Sequence, residues 1–226
     1  MLKKITSFVA AVAFTSAASA GASYGFVNIT GNNAGDAAIG EAQFCVELIE
    51  RKGGQEQQGG LVEFLFTNTG SDDASLVQIY WEDSNDLLSS IAGWDTTTPY
   101  TPAPNYGVEF GGGSASPGHL PGSNPKINDF SIQAENKGGK SKNGVGAGEN
   151  VSVYFSYSGS YIALLEAMDS GDLIVGTHAQ AFASGGSESF ISGPKGTPPT
   201  GVPSPTAALA GVGLLGLLAA RRRRRD

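Results

Sequence analysis

The side chains with the most chemistry are few. There is one cysteine, Cys45, and there are two histidines, His119 and His178, in 226 residues. A catalytic thiol needs a lowered pKa and a nearby base. Cys45 lies in the strand-like run Phe44-Cys45-Val46 and reads instead as a small buried hydrophobe. A lone cysteine also excludes an intrachain disulfide and a Cys-rich zinc site. His119 sits in a Gly/Pro stretch, and His178 alternates with Thr177 and Ala179 as a sheet histidine would. Serines are plentiful, but no Gly-x-Ser-x-Gly elbow accompanies them. No catalytic residue, metal site or cofactor is therefore expected.

The acids are more suggestive. Asp72-Asp73, Glu82-Asp83, Asp86 and Asp95 cluster in sequence, and paired carboxylates are the groups that hydrolyse glycosides. Asp83-Ser84-Asn85-Asp86 supplies hard oxygen donors suited to calcium, without the glycine and terminal glutamate of an EF-hand loop. Tyr80, Trp81, Trp94, Tyr100 and Tyr106 gather in the same region. Exposed aromatics of this kind stack on sugar rings, whereas buried ones pack a core. Trp81, Asp83, Asp86, Trp94 and Tyr106 are thus the candidate ligand-binding residues, with polysaccharide as the ligand class. Gly144-Val145-Gly146-Ala147-Gly148 lacks the lysine and helix of a phosphate loop and reads as a turn. Lys137, Lys140 and Lys142 read as a solvated loop.

The elements that must position these residues are mostly strands. Short apolar runs recur between Gly, Asn, Ser and Pro clusters. Nine are predicted: 24–30, 42–50, 61–67, 76–81, 106–110, 130–134, 151–157, 173–182 and 189–191. One short helix is predicted over 161–168, capped by Ser160 and stopped by Gly171. Residues 94–105 and 111–125 hold three prolines each and are expected to be loops. The expected fold is all-β, an antiparallel two-sheet β-sandwich with one short helix, flanked by an N-terminal signal helix and a C-terminal apolar helix.

Both ends read as addresses. Lys3 and Lys4, an apolar run and then Ala18-Ser19-Ala20 make a secretory signal, with cleavage by signal peptidase expected between Ala20 and Gly21. At the other end, Val202-Pro203-Ser204-Pro205 precedes an apolar run over 206–220, and Arg221, Arg222, Arg223, Arg224 and Arg225 follow as a stop-transfer cluster. The expected organisation is a signal over 1–20, a body over 21–193, a Pro/Gly/Thr linker over 194–201 and a sorting tail over 202–226. The apolar run is expected to be a transmembrane helix.

The Pro-x-Pro, the apolar run and the arginines together resemble a PEP-CTERM sorting signal, a tail also described for ice-binding proteins. Ser204 stands where that motif usually has glutamate. Body segments such as 33–43, 116–122 and 176–182 resemble recurrent blocks of PEP-CTERM exoproteins, which carry no activity to transfer. The resemblance implies an exosortase-type membrane protease as a processing partner. It also implies a precursor held transiently in the inner membrane, and a destination at the cell surface or exopolysaccharide matrix of a Gram-negative-type bacterium.

Charge agrees with an exterior address. Residues 21–202 carry seven basic and 20 acidic side chains, a net charge of −13, within a chain whose net charge is −7. So acidic a body has no basic stripe for nucleic acid or anionic lipid. The expected function is a non-enzymatic secreted or surface protein. The alternatives are a carbohydrate-binding module using the region from Trp81 to Tyr106, and a secreted hydrolase with paired carboxylates.

Overall fold

The computed structural model describes residues 21–51, 60–95, 107–111 and 114–192. Ala18, Ala20, Tyr106, the linker, Val202 to Pro205, the apolar run and Arg221 to Arg225 lie outside the described residues.

Ten strands and three short helices make up the described chain. In order they are β1 (Ala22–Asn28), α1 (Ala34–Gln43), β2 (Phe44–Arg51), β3 (Gly60–Asn68), β4 (Ser75–Asp83), β5 (Leu88–Asp95) and β6 (Phe110–Gly111). Then follow β7 (Phe130–Ala134), α2 (Lys140–Asn143), β8 (Asn150–Tyr157), α3 (Tyr161–Ser170), β9 (Leu173–Gln180) and β10 (Glu188–Ser192). The strand order is β5-β8-β3-β2-β1-β10-β9-β4-β7-β6, and every pairing is antiparallel.

This corrects the expected sandwich to a single, nearly closed barrel. The decisive element is β1. Its residues 22–25 pair with β2, and its residues 26–28 pair with β10. One strand thereby hydrogen-bonds on both sides and fuses two would-be layers into one sheet. The sheet then curls. Trp81 of β4 meets Phe64, Phe66 and Phe155 of β3 and β8 at centroid distances of 5.9, 5.8 and 4.9 Å. Phe130 of β7 meets Phe155 of β8 at 5.2 Å, so the penultimate strands at the two ends of the sheet face each other. Curling buries both apolar faces on one core and leaves β5 and β6 as edge strands.

The alternation that predicts strands also predicts what they bury. Val62, Phe64 and Phe66 of β3 and Val151, Val153 and Phe155 of β8 are fully buried, and their neighbours in sequence face out.

The expected single helix is α3. Ser160 Oγ accepts the N–H of Ala163 at 3.2 Å, and Gly171 ends the helix in the left-handed region at φ 84°. The sequence reading missed α1, whose only large apolar residue is Ile39. Its fold comes from its cap and one close contact. Asn33 Oδ1 accepts the N–H groups of Gly35 and Asp36, and Gly40 lies against the Phe190 ring. Strand β5 was missed as well, because Ser89, Ser90 and Gly93 break its apolar pattern and two register shifts interrupt its pairing with β8.

A further correction concerns the membrane: the described residues hold no transmembrane helix, and the apolar run over 206–220, where one was expected, lies outside them. Helices α1 and α3 have ten residues each, about 15 Å, against ~30 Å of hydrocarbon. Among the described residues no helix is long and apolar enough to cross a membrane.

Candidate functional site

The candidate residues around the β4–β5 turn do not converge. Trp81 is fully buried at the centre of the aromatic core, and its indole N–H has no hydrogen-bond partner. It is a packing residue and cannot stack on a sugar. Asp83 is 4% exposed and folds back into its own turn. Its Oδ2 accepts the N–H of Leu88 at 2.5 Å, while its own N–H donates to Asp129 Oδ2 at 2.8 Å. Burial pushes the Asp83 carboxyl above the usual range, against the pull of backbone N–H groups from Leu88, Asn85 and Leu87. Asp86 is exposed and takes φ 53°, the left-handed geometry of a turn. Among the described residues no three His, Cys, Asp or Glu side chains are grouped to hold a metal ion. Asp83 Oδ2 is thus taken up by the turn, while Asp83 Oδ1 is buried without a hydrogen-bond partner.

Trp94 is the exception. It pairs with Val153 of β8, so it shares the inward face, yet it is 36% exposed because β5 is an edge. An indole at the open seam of a barrel is a surface on which a sugar ring or another flat apolar face can stack.

Sequence order hid a second set of acids. Glu47 of β2 and Glu63 of β3 point away from the core. Glu47 lies opposite Leu65, and Glu63 lies opposite Ile49, so the two carboxylates are diagonal neighbours, roughly 7–8 Å apart at the backbone. Both are nonetheless buried, at 8% and 3% exposure. Glu63 accepts from Arg51 Nε at 2.5 Å and from Ser152 Oγ at 2.5 Å, and it forms an ion pair with Arg51. These contacts fix Glu63 as a salt-bridged carboxylate. A hydrolytic pair needs one acid that can be protonated and reach substrate. The signal missed in the sequence was acids at outward positions of two strands that become neighbours only by pairing.

The remaining reactive groups are held by the fold. Cys45 faces outward, half-buried, with its Sγ 2.9 Å from Ser23 Oγ. Burial pushes its thiol up despite that bond, which keeps it protonated. His178 Nδ1 is 3.1 Å from Ser189 Oγ, but Ser189 is fully buried and so unavailable as a nucleophile. Burial and the neighbouring Lys140 lower the His178 pKa, with Glu188 pulling the other way. His119 belongs to a proline-rich loop packed over the outer faces of β4 and β9. There Tyr80 Oη donates to the Pro117 carbonyl at 3.0 Å, and Leu120 covers Gly176. Lys140 Nζ donates to Gln133 Oε1 at 2.8 Å. Val145 bridges Leu76, and the Glu149 N–H donates to the Gly146 carbonyl at 3.0 Å, which closes the expected turn.

Among the described residues, one heavily hydrogen-bonded side chain was not foreseen at all. Glu188 is fully buried and accepts four hydrogen bonds. Asn33 N–H reaches Oε1 at 2.5 Å. Oε2 receives Asn28 Nδ2 at 2.9 Å, Thr30 Oγ1 at 2.5 Å and Asn32 N–H at 3.2 Å. Desolvation raises its pKa, but the donors outweigh it and the net shift is downward. The role is architectural: Glu188 on β10 gathers the segment that links β1 to α1.

No protein-family model, curated protein or solved structure matches this chain.

Proposed function

We propose that this is an exported, non-enzymatic protein of the cell surface or exopolysaccharide matrix. Its barrel is delivered by the C-terminal sorting signal after signal peptidase has removed residues 1–20. The observation that carries the reading is the ordered tail: Val202-Pro203-Ser204-Pro205, an apolar run, then five arginines, following residues 21–202 of net charge −13. The processing partner is an exosortase-type membrane protease acting near Pro205. The barrel supports the reading in one respect. Its thiol, its His–Ser pair and its buried carboxylates are bonded into the fold, as suits a structural body.

Intact-mass analysis of protein recovered from the cell exterior tests this. Loss of the tail near Pro205, or a mass added there, is the expected result. Exterior protein that keeps all five arginines would refute it.

A second reading rests on Trp94 alone. Its exposed indole at the seam supports binding of a polysaccharide chain. Binding on a glycan array that Trp94→Ala abolishes, with an unchanged melting temperature, is the expected outcome. Equal binding by the variant would remove this reading.

A further inference from the structure

Gly21 sits on Glu47. A methyl group added at Gly21 would lie 2.3 Å from Glu47 Oε1, 2.7 Å from Cγ and 2.8 Å from Cδ, so the Glu47 side chain occupies the space beside Gly21. The α-nitrogen of Gly21 is bonded to the same carbon, which places it within about 5 Å of that carboxylate oxygen. Ser23, two residues on, is the register partner of Glu47. Glu47 is outward-facing, yet the residue is only 8% exposed.

We propose that export processing completes this site: the α-ammonium of Gly21, freed by cleavage, forms an ion pair with Glu47 and pins the start of β1 to β2. The inference rests on cleavage between Ala20 and Gly21. In that step water adds across the amide. Ala20 leaves with the new carboxylate, and the Gly21 nitrogen keeps the leaving pair and becomes an amine. An α-amine has a pKa of roughly 7.7–8.0, so at neutral pH it is mostly ammonium. In the precursor the same nitrogen is a neutral amide and supplies no charge. Processing therefore places a cation beside an acid that is shielded from water, in a body that is otherwise strongly acidic. The pair ties β1 at the end opposite its junction with β10, and β1 is the strand that makes the sheet continuous.

The test compares chains through to Asp226 that begin at Gly21 with chains that retain Ser19-Ala20, each as wild type and as Glu47→Gln. The expected result is a melting temperature about 2–4 °C higher for the Gly21 start in the wild type, and no difference in Glu47→Gln. An equal effect in both backgrounds, or no effect in the wild type, would overturn the proposal. Should Glu47→Gln not fold, acetylation of the Gly21 amine with Glu47 intact decides: the same loss supports the pair, and no loss overturns it. N-terminal sequencing of exported protein reports separately on cleavage. A start elsewhere removes the export premise, while the engineered Gly21 start still measures the pair.

Discussion

Glu188→Gln is expected to destabilise the barrel by about 2–4 kcal/mol at pH 7 and by much less near pH 3. Glutamine offers one oxygen where the carboxylate offers two. Placed at Oε2, it keeps Asn28, Thr30 and Asn32 as donors, but as neutral hydrogen bonds. Its amide nitrogen then faces the Asn33 N–H, donor to donor, where Oε1 now accepts at 2.5 Å. The loss combines charge assistance over three bonds with one buried donor left unpaired, each on the order of 1–3 kcal/mol before relaxation. The pH dependence follows from the downward shift of the Glu188 carboxyl. A folded pKa below the unfolded value of about 4.3 gives stability that is complete above that value. It is lost as pH falls through the folded pKa, so the wild type descends toward the variant in acid. Urea unfolding at pH 7 and pH 3, followed by tryptophan fluorescence, measures both. A deficit under about 0.5 kcal/mol at pH 7, or one that persists unchanged at pH 3, would refute the hub. Thr30→Val is the companion variant. It removes a donor to Glu188 and also the acceptor of the Ser189 N–H at 2.9 Å, for about 1–3 kcal/mol.

Two further outcomes are expected. Gly40→Ala places a methyl 2.1 Å from Phe190 Cζ and should cost about 1–3 kcal/mol or more through overpacking, read as a lower urea midpoint with an unchanged slope. Cys45 should react with a thiol reagent at neutral pH at least about tenfold more slowly in the folded protein than in urea, because burial raises its pKa; equal rates would show that the thiol is free.

Much of the fold was legible because a half-buried strand writes its own pattern. Phe64, Phe66, Val153 and Phe155 alternate with outward residues, and the structure buries all four. The Ser160 cap and the Gly171 stop likewise announced α3. Helix α1 was not legible. Its two glycines and single large apolar residue give no stripe, and its stability comes from the Asn33 cap and the Phe190 contact. The candidate site fared worst. Trp81 and Trp94 are the same residue type in strands consecutive along the chain, yet one is the centre of the core and the other lies exposed at an edge. Only curling of the sheet separates them.

Local signals, read along the chain, depend on residue order alone. They marked most of the strands, a proline-rich loop after β6 and the acidity of the body, because alternation, turn chemistry and charge need no partner to be expressed. Closure is different. That β1 hydrogen-bonds to nearby β2 with one half and with the other to β10, more than 160 residues away, is a relation that no local pattern encodes. The same holds for Glu188, which meets Asn28 and Thr30 across 160 and 158 positions. It holds too for Glu47 and Glu63, made neighbours by strand pairing. Composition made this chain acidic and β-rich. Tertiary structure decided which acids are buried, which tryptophan meets solvent, and that two expected sheets are one.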